Sequence, residues 1–211
     1  SFQATDGKVP CVVDQRGADP VPENDSHGQL IFAIMQYFQF THDTTFLLSQ
    51  YPHIRKAVNY LELLMNQRLT DYYQNGNDSL QSLYGLLPES ISHEGYSDKP
   101  RHSYWDNFFA LKGLKDAVTA ARILGEKSDE ERFTGLRDLF KRNLYRSLEL
   151  TIKRTGIDYI PGCAELGDFD ATSTTIALSP CNELPNLPQP YAQNTFNRYY
   201  AHFCKRSDPT F

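Results

Sequence analysis

Short and long connections alternate between the segments of this chain that show helical periodicity. This alternation limits the folds that the chain can adopt. Three pairs of segments follow one another, each joined internally by ten residues or fewer and separated from the next pair by a longer loop. Such a rhythm is typical of an αα-hairpin array, and no βαβ pattern accompanies it. The sequence therefore predicts an all-α fold. The pairs are residues 25–41 with 44–71, 104–124 with 128–154, and 170–178 with 189–204.

The first helical segment has the clearest apolar stripe, at i, i+3 and i+4 spacing, which predicts one buried face. Residues 1–24 are rich in Pro, Gly and Asp and predict an irregular segment with one short strand at residues 9–14. Residues 72–101 carry Gly and Pro throughout and are predicted to be irregular. Ser128 and Glu131 have the residue types of a capping box for the fourth helix. The stripe consists of Leu30, Ile31, Ile34, Met35 and Phe38.

The length of 211 residues and the formal net charge of -5 limit the classes of protein to which this chain can belong. Such a length suits one domain, residues 1–211. No cluster of Lys and Arg is present, so a nucleic-acid partner is not expected. No apolar run approaches the ~18 residues of a membrane span. The sequence starts at Ser1 without an initiator Met, so a fragment of a longer chain is expected and the localisation is left open.

The cysteines and histidines give no sign of a metal or cofactor. Cys11, Cys163, Cys181 and Cys204 are widely spaced and predict free thiols rather than disulfides or zinc ligands. The six histidines do not pair at ligand spacing either. We therefore expect neither a metal nor a cofactor.

Polar residues crowd into three segments, each placed directly before a helical pattern. They are residues 22–27, 88–106 and 165–170. If helix pairs run up and down side by side, every second loop lies at the same end of the molecule. The sequence thus predicts that all three segments meet on one end face.

Asp25, Asp106 and Asp170 each open a helix, which leaves two interpretations. One is an N-cap, in which the carboxylate accepts free backbone N–H groups and complements the helix dipole. The other is a ligand at a cavity mouth that accepts hydrogen bonds from sugar hydroxyls. The two are compatible, because one carboxylate has several lone pairs.

The loop of residues 88–106 is the densest segment, with several acids, two His, two Tyr, Arg101 and the only Trp. Glycoside hydrolysis uses a carboxylic acid to protonate the leaving oxygen, a second carboxylate, and aromatic faces for the sugar ring. This loop could supply the acid and the aromatics. The alternative is a solvated loop with an aromatic anchor.

Three motifs resemble glucoamylase-type enzymes of glycoside hydrolase family 15. The segment Pro-Glu-Asn-Asp-Ser-His-Gly from Pro22 is similar to the family's Arg-Pro-Gln-Asn-Asp-Gly helix start, and Pro-Arg-His-Ser-Tyr-Trp from Pro100 to its Pro-Arg-His-Phe segment. Asp-Ala-Thr-Ser from Asp170 is similar to its Asp-Ala-Ser helix start. The resemblance implies an (α/α)6 toroid, of which three hairpins are about half. The chain is also similar to bacterial proteins labelled coagulation factor 5/8 type domain.

The resemblance implies a carbohydrate-active domain, a glycoside hydrolase acting on the end of an oligosaccharide or polysaccharide. Glu94 and Glu89 are the candidates for the general acid, Glu94 by its distance from Pro100 and Glu89 by its Leu-Leu-Pro-Glu context. The family's general base lies near the end of the toroid, and Glu165 and Asp168 are weak substitutes within this chain. Substrate contacts are expected from Asp25, Arg101, His102, Tyr104, Trp105, Asp106, Asp168 and Asp170.

Two alternatives remain open. One is a non-catalytic helical module that binds a glycan or a protein partner with the same face. The other is a polysaccharide lyase that uses Tyr96 and His102 for proton abstraction. Half of a ring would also expose apolar helix faces or cover them with a second copy or the rest of a longer chain. The residues expected on such faces are Leu30, Ile34, Leu111, Leu114 and Ile176.

Overall fold

The computed structural model describes residues 2–19, 21–92 and 96–206. Within these residues the chain forms eight α-helices and two short β-hairpins, so the predicted all-α class is confirmed. The long helices are α1 (Ser26–Thr41), α2 (Thr44–Asn66), α5 (Tyr104–Leu124), α6 (Lys127–Thr155), α7 (Ala171–Leu178) and α8 (Tyr191–Lys205). The shorter elements are α3 (Asp71–Gln74), α4 (Asp78–Gln81), β1 (Val13–Asp14), β2 (Gly17–Ala18), β3 (Ser90–Ser92) and β4 (Tyr96–Arg101).

The long helices form three hairpins in two layers. Helices α1, α5 and α7 lie side by side, and each packs against the second helix of its own pair, α2, α6 or α8. The core lies between the layers, where Tyr104, Phe108, Phe133 and Phe140 are fully buried. Because the first helices of the pairs are neighbours, the loops before them share one end of the molecule.

The bounds of α5 follow from local sequence signals. Ser103 precedes the helix in extended conformation, and Gly125 ends it with a left-handed φ of 75° that glycine adopts without strain. The structure thus reproduces the bounds predicted for this helix.

Two local predictions were wrong. Residues 72–101 are not irregular throughout, because Asn77 caps α4 by accepting the Leu80 N–H and β3 pairs with β4. Ser128 does not begin α6, which starts at Lys127. Its neighbour Asp129 is instead buried and accepts a hydrogen bond from the Tyr51 hydroxyl at 2.8 Å.

The apolar faces expected to be open are mostly closed. Ile34, Leu111 and Leu114 are buried within the chain itself, so the expectation of an open face was wrong for these three residues, while Leu30 and Ile176 are half-buried against the core. The reason is that α1, α5 and α7 cover one another. Exposed apolar residues instead occur elsewhere, among them Phe40 on α1 and Tyr199, Tyr200 and Phe203 on α8. All four cysteines are free thiols, as predicted.

A buried histidine joins the N-terminal segment to α1. The Nε2 atom of His27 accepts the Val9 N–H at 3.2 Å, so the proton is on Nδ1, which lies 3.3 Å from the Asn24 carbonyl oxygen. The ring stacks on Tyr60 with centroids 4.8 Å apart. Desolvation of this buried ring lowers the pKa of His27 from 6.5 to about 4, because the charged form is disfavoured.

We expect His27 to make folding sensitive to acid. Its folded pKa lies below its unfolded pKa, so the unfolded chain binds more protons and stability falls as the pH drops from about 6.5 towards 4. Between pH 7 and 4.5 this group alone should reduce the free energy of unfolding by about 2 kcal/mol. Urea unfolding at both pH values should show a smaller acid-induced loss for His27→Gln than for the wild type. Equal losses in the two proteins would exclude His27 as the source.

Candidate functional site

Asp25 and Trp105 form the centre of the end face. Trp105 lies in the first turn of α5, and its indole Nε1 donates to Oδ2 of Asp25 at 2.8 Å. The same oxygen accepts from Nε2 of Gln29, one turn into α1, at 2.6 Å. Asp25 and Trp105 are both half-buried. Helices α1 and α5 therefore present an oriented carboxylate beside an aromatic ring.

Asp106 lies behind this pair and is 2% exposed. Its carboxyl accepts the Ser90 hydroxyl and the backbone N–H of Asn24. Desolvation and the nearby charge of Asp25 raise the pKa of Asp106 to about 8, although the Ser90 hydrogen bond opposes the shift. This carboxyl ties β3 to the start of α1.

A hydrogen-bonded network of four side chains crosses the end face next to Asp106. Its members are Arg68, Glu89, His102 and Glu165. Nδ1 of His102 lies 2.6 Å from Oε1 of Glu165, and Nε2 accepts from Nε of Arg68 at 3.1 Å. Arg68 also pairs with Glu89, whose Oε2 is 3.5 Å from Nε2 of His102. Since Arg68 can only donate, the imidazole carries its proton on Nδ1 and donates it to Glu165.

The carboxyl groups of Glu89 and Glu165 in this side-chain network are held ionised. Desolvation raises the pKa of Glu89, but its own backbone N–H and the charge and hydrogen bond of Arg68 outweigh that effect and lower the pKa below its usual value. Desolvation likewise opposes ionisation of Glu165, and the hydrogen bonds from His102 lower its pKa overall. Ionised carboxylates are suited to accept protons, and Glu89 is the more exposed of the two.

The third predicted segment is divided: Glu165 contacts His102, while Asp168 and Asp170 make other contacts. The Tyr96 hydroxyl donates to Oδ2 of Asp168 at 2.5 Å, while Oδ1 of Asp168 accepts the Cys163 N–H at 3.2 Å. Desolvation and Asp168 raise the pKa of Cys163 to about 12, so this thiol stays protonated. Asp170 caps α7 by accepting the N–H groups of Thr172 and Ser173, as the N-cap interpretation predicts.

Several predicted contacts need correction. Tyr104 is fully buried between α5 and α6 and bonds Ser147, so its ring cannot stack on a sugar. Asp106 and His102 are also buried, and their side chains contact protein neighbours. Nε of Arg101 is buried without a hydrogen-bond partner among the described residues. Glu94, the leading candidate for the general acid, lies outside the described residues.

The sequence analysis overlooked Arg68, Gln29 and Ser90. Gln29 follows Asp25 by four residues, and this i, i+4 spacing on a helix is a signal that could have found it. Arg68 follows the end of α2 in an ordinary stretch of sequence, and only the tertiary fold brings it to His102.

Comparisons with protein-family models, with curated proteins and with solved structures found no match. Within the residues that the structure describes, no three His, Cys, Asp or Glu side chains could together hold a metal ion. In the same residues, no helix has the length and apolarity needed to cross a lipid bilayer.

Proposed function

We propose that this chain is a carbohydrate-active domain that binds a glycan on the end face formed by the starts of α1 and α5. The observation that carries the proposal is the Asp25–Trp105 pair, in which the indole N–H orients a half-buried carboxylate 2.8 Å away. Sugars are recognised by carboxylates that accept hydroxyl protons and by aromatic rings that cover apolar ring faces. Both groups are present here side by side.

The proposed reaction is glycoside hydrolysis with Glu94 as the general acid. Glu89 suits this role less well, because its own backbone N–H and Arg68 outweigh desolvation, lower its pKa and keep it ionised. An ionised carboxylate can instead take a proton from water, so Glu89 is better suited to a general base. The resemblance to glucoamylase-type enzymes supports the reaction class, while the Asp25–Trp105 pair supports glycan binding.

A non-catalytic glycan-binding module is the second candidate. It is favoured by the ion pairs of the end face, since Glu89 and Glu165 are both occupied by Arg68 or His102. Carboxylates held this way can orient side chains for binding without taking part in chemistry. Hydrolysis and binding assays on the same oligosaccharides separate the two candidates.

Replacing Asp25 should weaken glycan binding. Asp25→Asn removes the charge that strengthens hydrogen bonds to sugar hydroxyls, so we expect about tenfold or greater loss of affinity for a bound oligosaccharide in calorimetric titration. Trp105→Ala, which also removes the aromatic face, should lose at least as much. The matched control is Asp43→Asn, because Asp43 also precedes a helix but lies at the opposite end of α1.

The control separates the proposed site from a general effect of acid-to-amide changes. Asp43 accepts the Phe46 N–H at 2.9 Å, and an Asn side chain can replace that cap. Equal affinities of the wild type, Asp25→Asn and Trp105→Ala for every glycan bound would place the glycan elsewhere.

A further inference from the structure

A cavity of about 390 Å³ lies away from the end face, between α5, α6 and the turn that follows α7. Its charged lining has four cationic side chains and two acidic ones, which leaves an excess of positive charge. The charged residues are Lys115, Arg122, Arg137, Lys141, Asp138 and Glu183.

A buried carboxylate organises the cations. Glu183 has a side chain that is 2% exposed, and its oxygens lie 2.8 Å from Nζ of Lys115 and 2.9 Å from Nζ of Lys141. Its Oε2 also accepts from the Tyr145 hydroxyl at 2.8 Å and from Nδ2 of Asn186 at 3.1 Å. Oε2 takes three of these donors and Oε1 takes one, so a single buried carboxylate holds both ammonium groups beside the cavity.

The two lysines keep donors for a ligand. Lys115 places two of its three N–H groups on Glu183 and on the Cys181 carbonyl, 2.6 Å away, which leaves one. Lys141 places one on Glu183. Arg137 pairs with its neighbour Asp138, and Arg122 pairs with Glu130 through Nε, so the guanidinium groups also retain N–H donors. Both lysine side chains are about one-third exposed and accessible from solvent.

We propose that this cavity binds the phosphate group of a phosphate monoester. A phosphate monoester carries nearly two negative charges and three strong acceptor oxygens, which match several cations with unused donors. Lys115, Lys141 and Arg137 bind the phosphate oxygens. The inference does not depend on glycan binding at the end face.

The test is a calorimetric titration at constant ionic strength with two probes, inorganic phosphate and glucose 6-phosphate. We expect saturable binding of one phosphate group per chain. Lys141→Gln should weaken it at least about tenfold, because a charge-assisted hydrogen bond is lost. The matched control is Lys153→Gln, which removes the same charge from an exposed position on the same helix and should bind as the wild type does.

A second variant guards against a change in the fold. Arg137→Gln leaves the contacts of Glu183 in place and should also weaken binding, with an unchanged thermal unfolding profile in the absence of phosphate. Tighter binding of glucose 6-phosphate than of inorganic phosphate supports a monoester ligand, and equal binding assigns the site to free phosphate. A response that does not saturate, or equal weakening by Lys141→Gln and Lys153→Gln, would overturn the proposal.

Discussion

Glu94→Gln should lower kcat for a glycoside with an unactivated leaving group by about 10²-fold or more, because general acid catalysis contributes roughly 10²- to 10⁴-fold. An aryl glycoside with a good leaving group needs little protonation and should lose much less. Glu89→Gln should lower kcat for both substrates to a similar extent. Its own backbone N–H and Arg68 hold Glu89 ionised against desolvation, and a base acts on water rather than on the leaving oxygen. Steady-state kinetics of the two variants with both substrates measures this contrast.

The same experiment can refute the assignment of Glu94 as the general acid and Glu89 as the general base. A leaving-group dependence in Glu89→Gln, with normal kinetics in Glu94→Gln, would transfer the acid role to Glu89. Full activity of both variants would remove residues 88–106 from the chemistry and leave them a role in binding alone. Asp25→Asn should lower kcat/KM for both substrates similarly, because its contact is with the sugar rather than with the leaving group.

Much of the helical layout can be predicted from the sequence because its signals are local. The bounds of α5 depend on Ser103, Gly125 and the apolar spacing between them, all of which lie within the helix or next to it. The β3–β4 hairpin was missed because Gly95 and Pro100 in this stretch predict irregular structure, whereas β3 is only three residues long and has no clear periodic signal.

The candidate site could be predicted only in part, because many of its contacts are made by the tertiary fold and leave no local signal in the sequence. The periodicity places Asp25 and Trp105 at the starts of helices α1 and α5, and their meeting follows from the packing of neighbouring hairpins. The roles of individual side chains do not follow from periodicity. Tyr104 and Trp105 are adjacent aromatics, but Tyr104 faces α6 and is fully buried, whereas Trp105 faces Asp25. Arg68 reaches His102 across 34 residues of sequence.

Gly28→Ala should be among the most destabilising single-methyl changes in this protein, at about 3 kcal/mol or more. The α1 and α5 backbones touch at this point. A Cβ atom on Gly28 would lie 2.0 Å from the Phe109 carbonyl oxygen and 2.4 Å from its carbon, and both are backbone atoms that cannot rotate away. The helices would have to separate, which would move Asp25 away from Trp105. Chemical denaturation measures the loss of stability, and glycan affinity measures the change at the end face.

Gly135→Ala is the matched control, because Gly135 also lies within a long helix. A Cβ atom built on Gly135 meets nothing within 4 Å, so the change should stabilise the protein by about 0.5 to 1 kcal/mol, through the higher helix propensity of alanine. The two variants add the same methyl group and should change stability in opposite directions. If Gly28→Ala were as stable as the wild type and bound glycan equally well, the contact between α1 and α5 would not be what fixes Asp25 against Trp105.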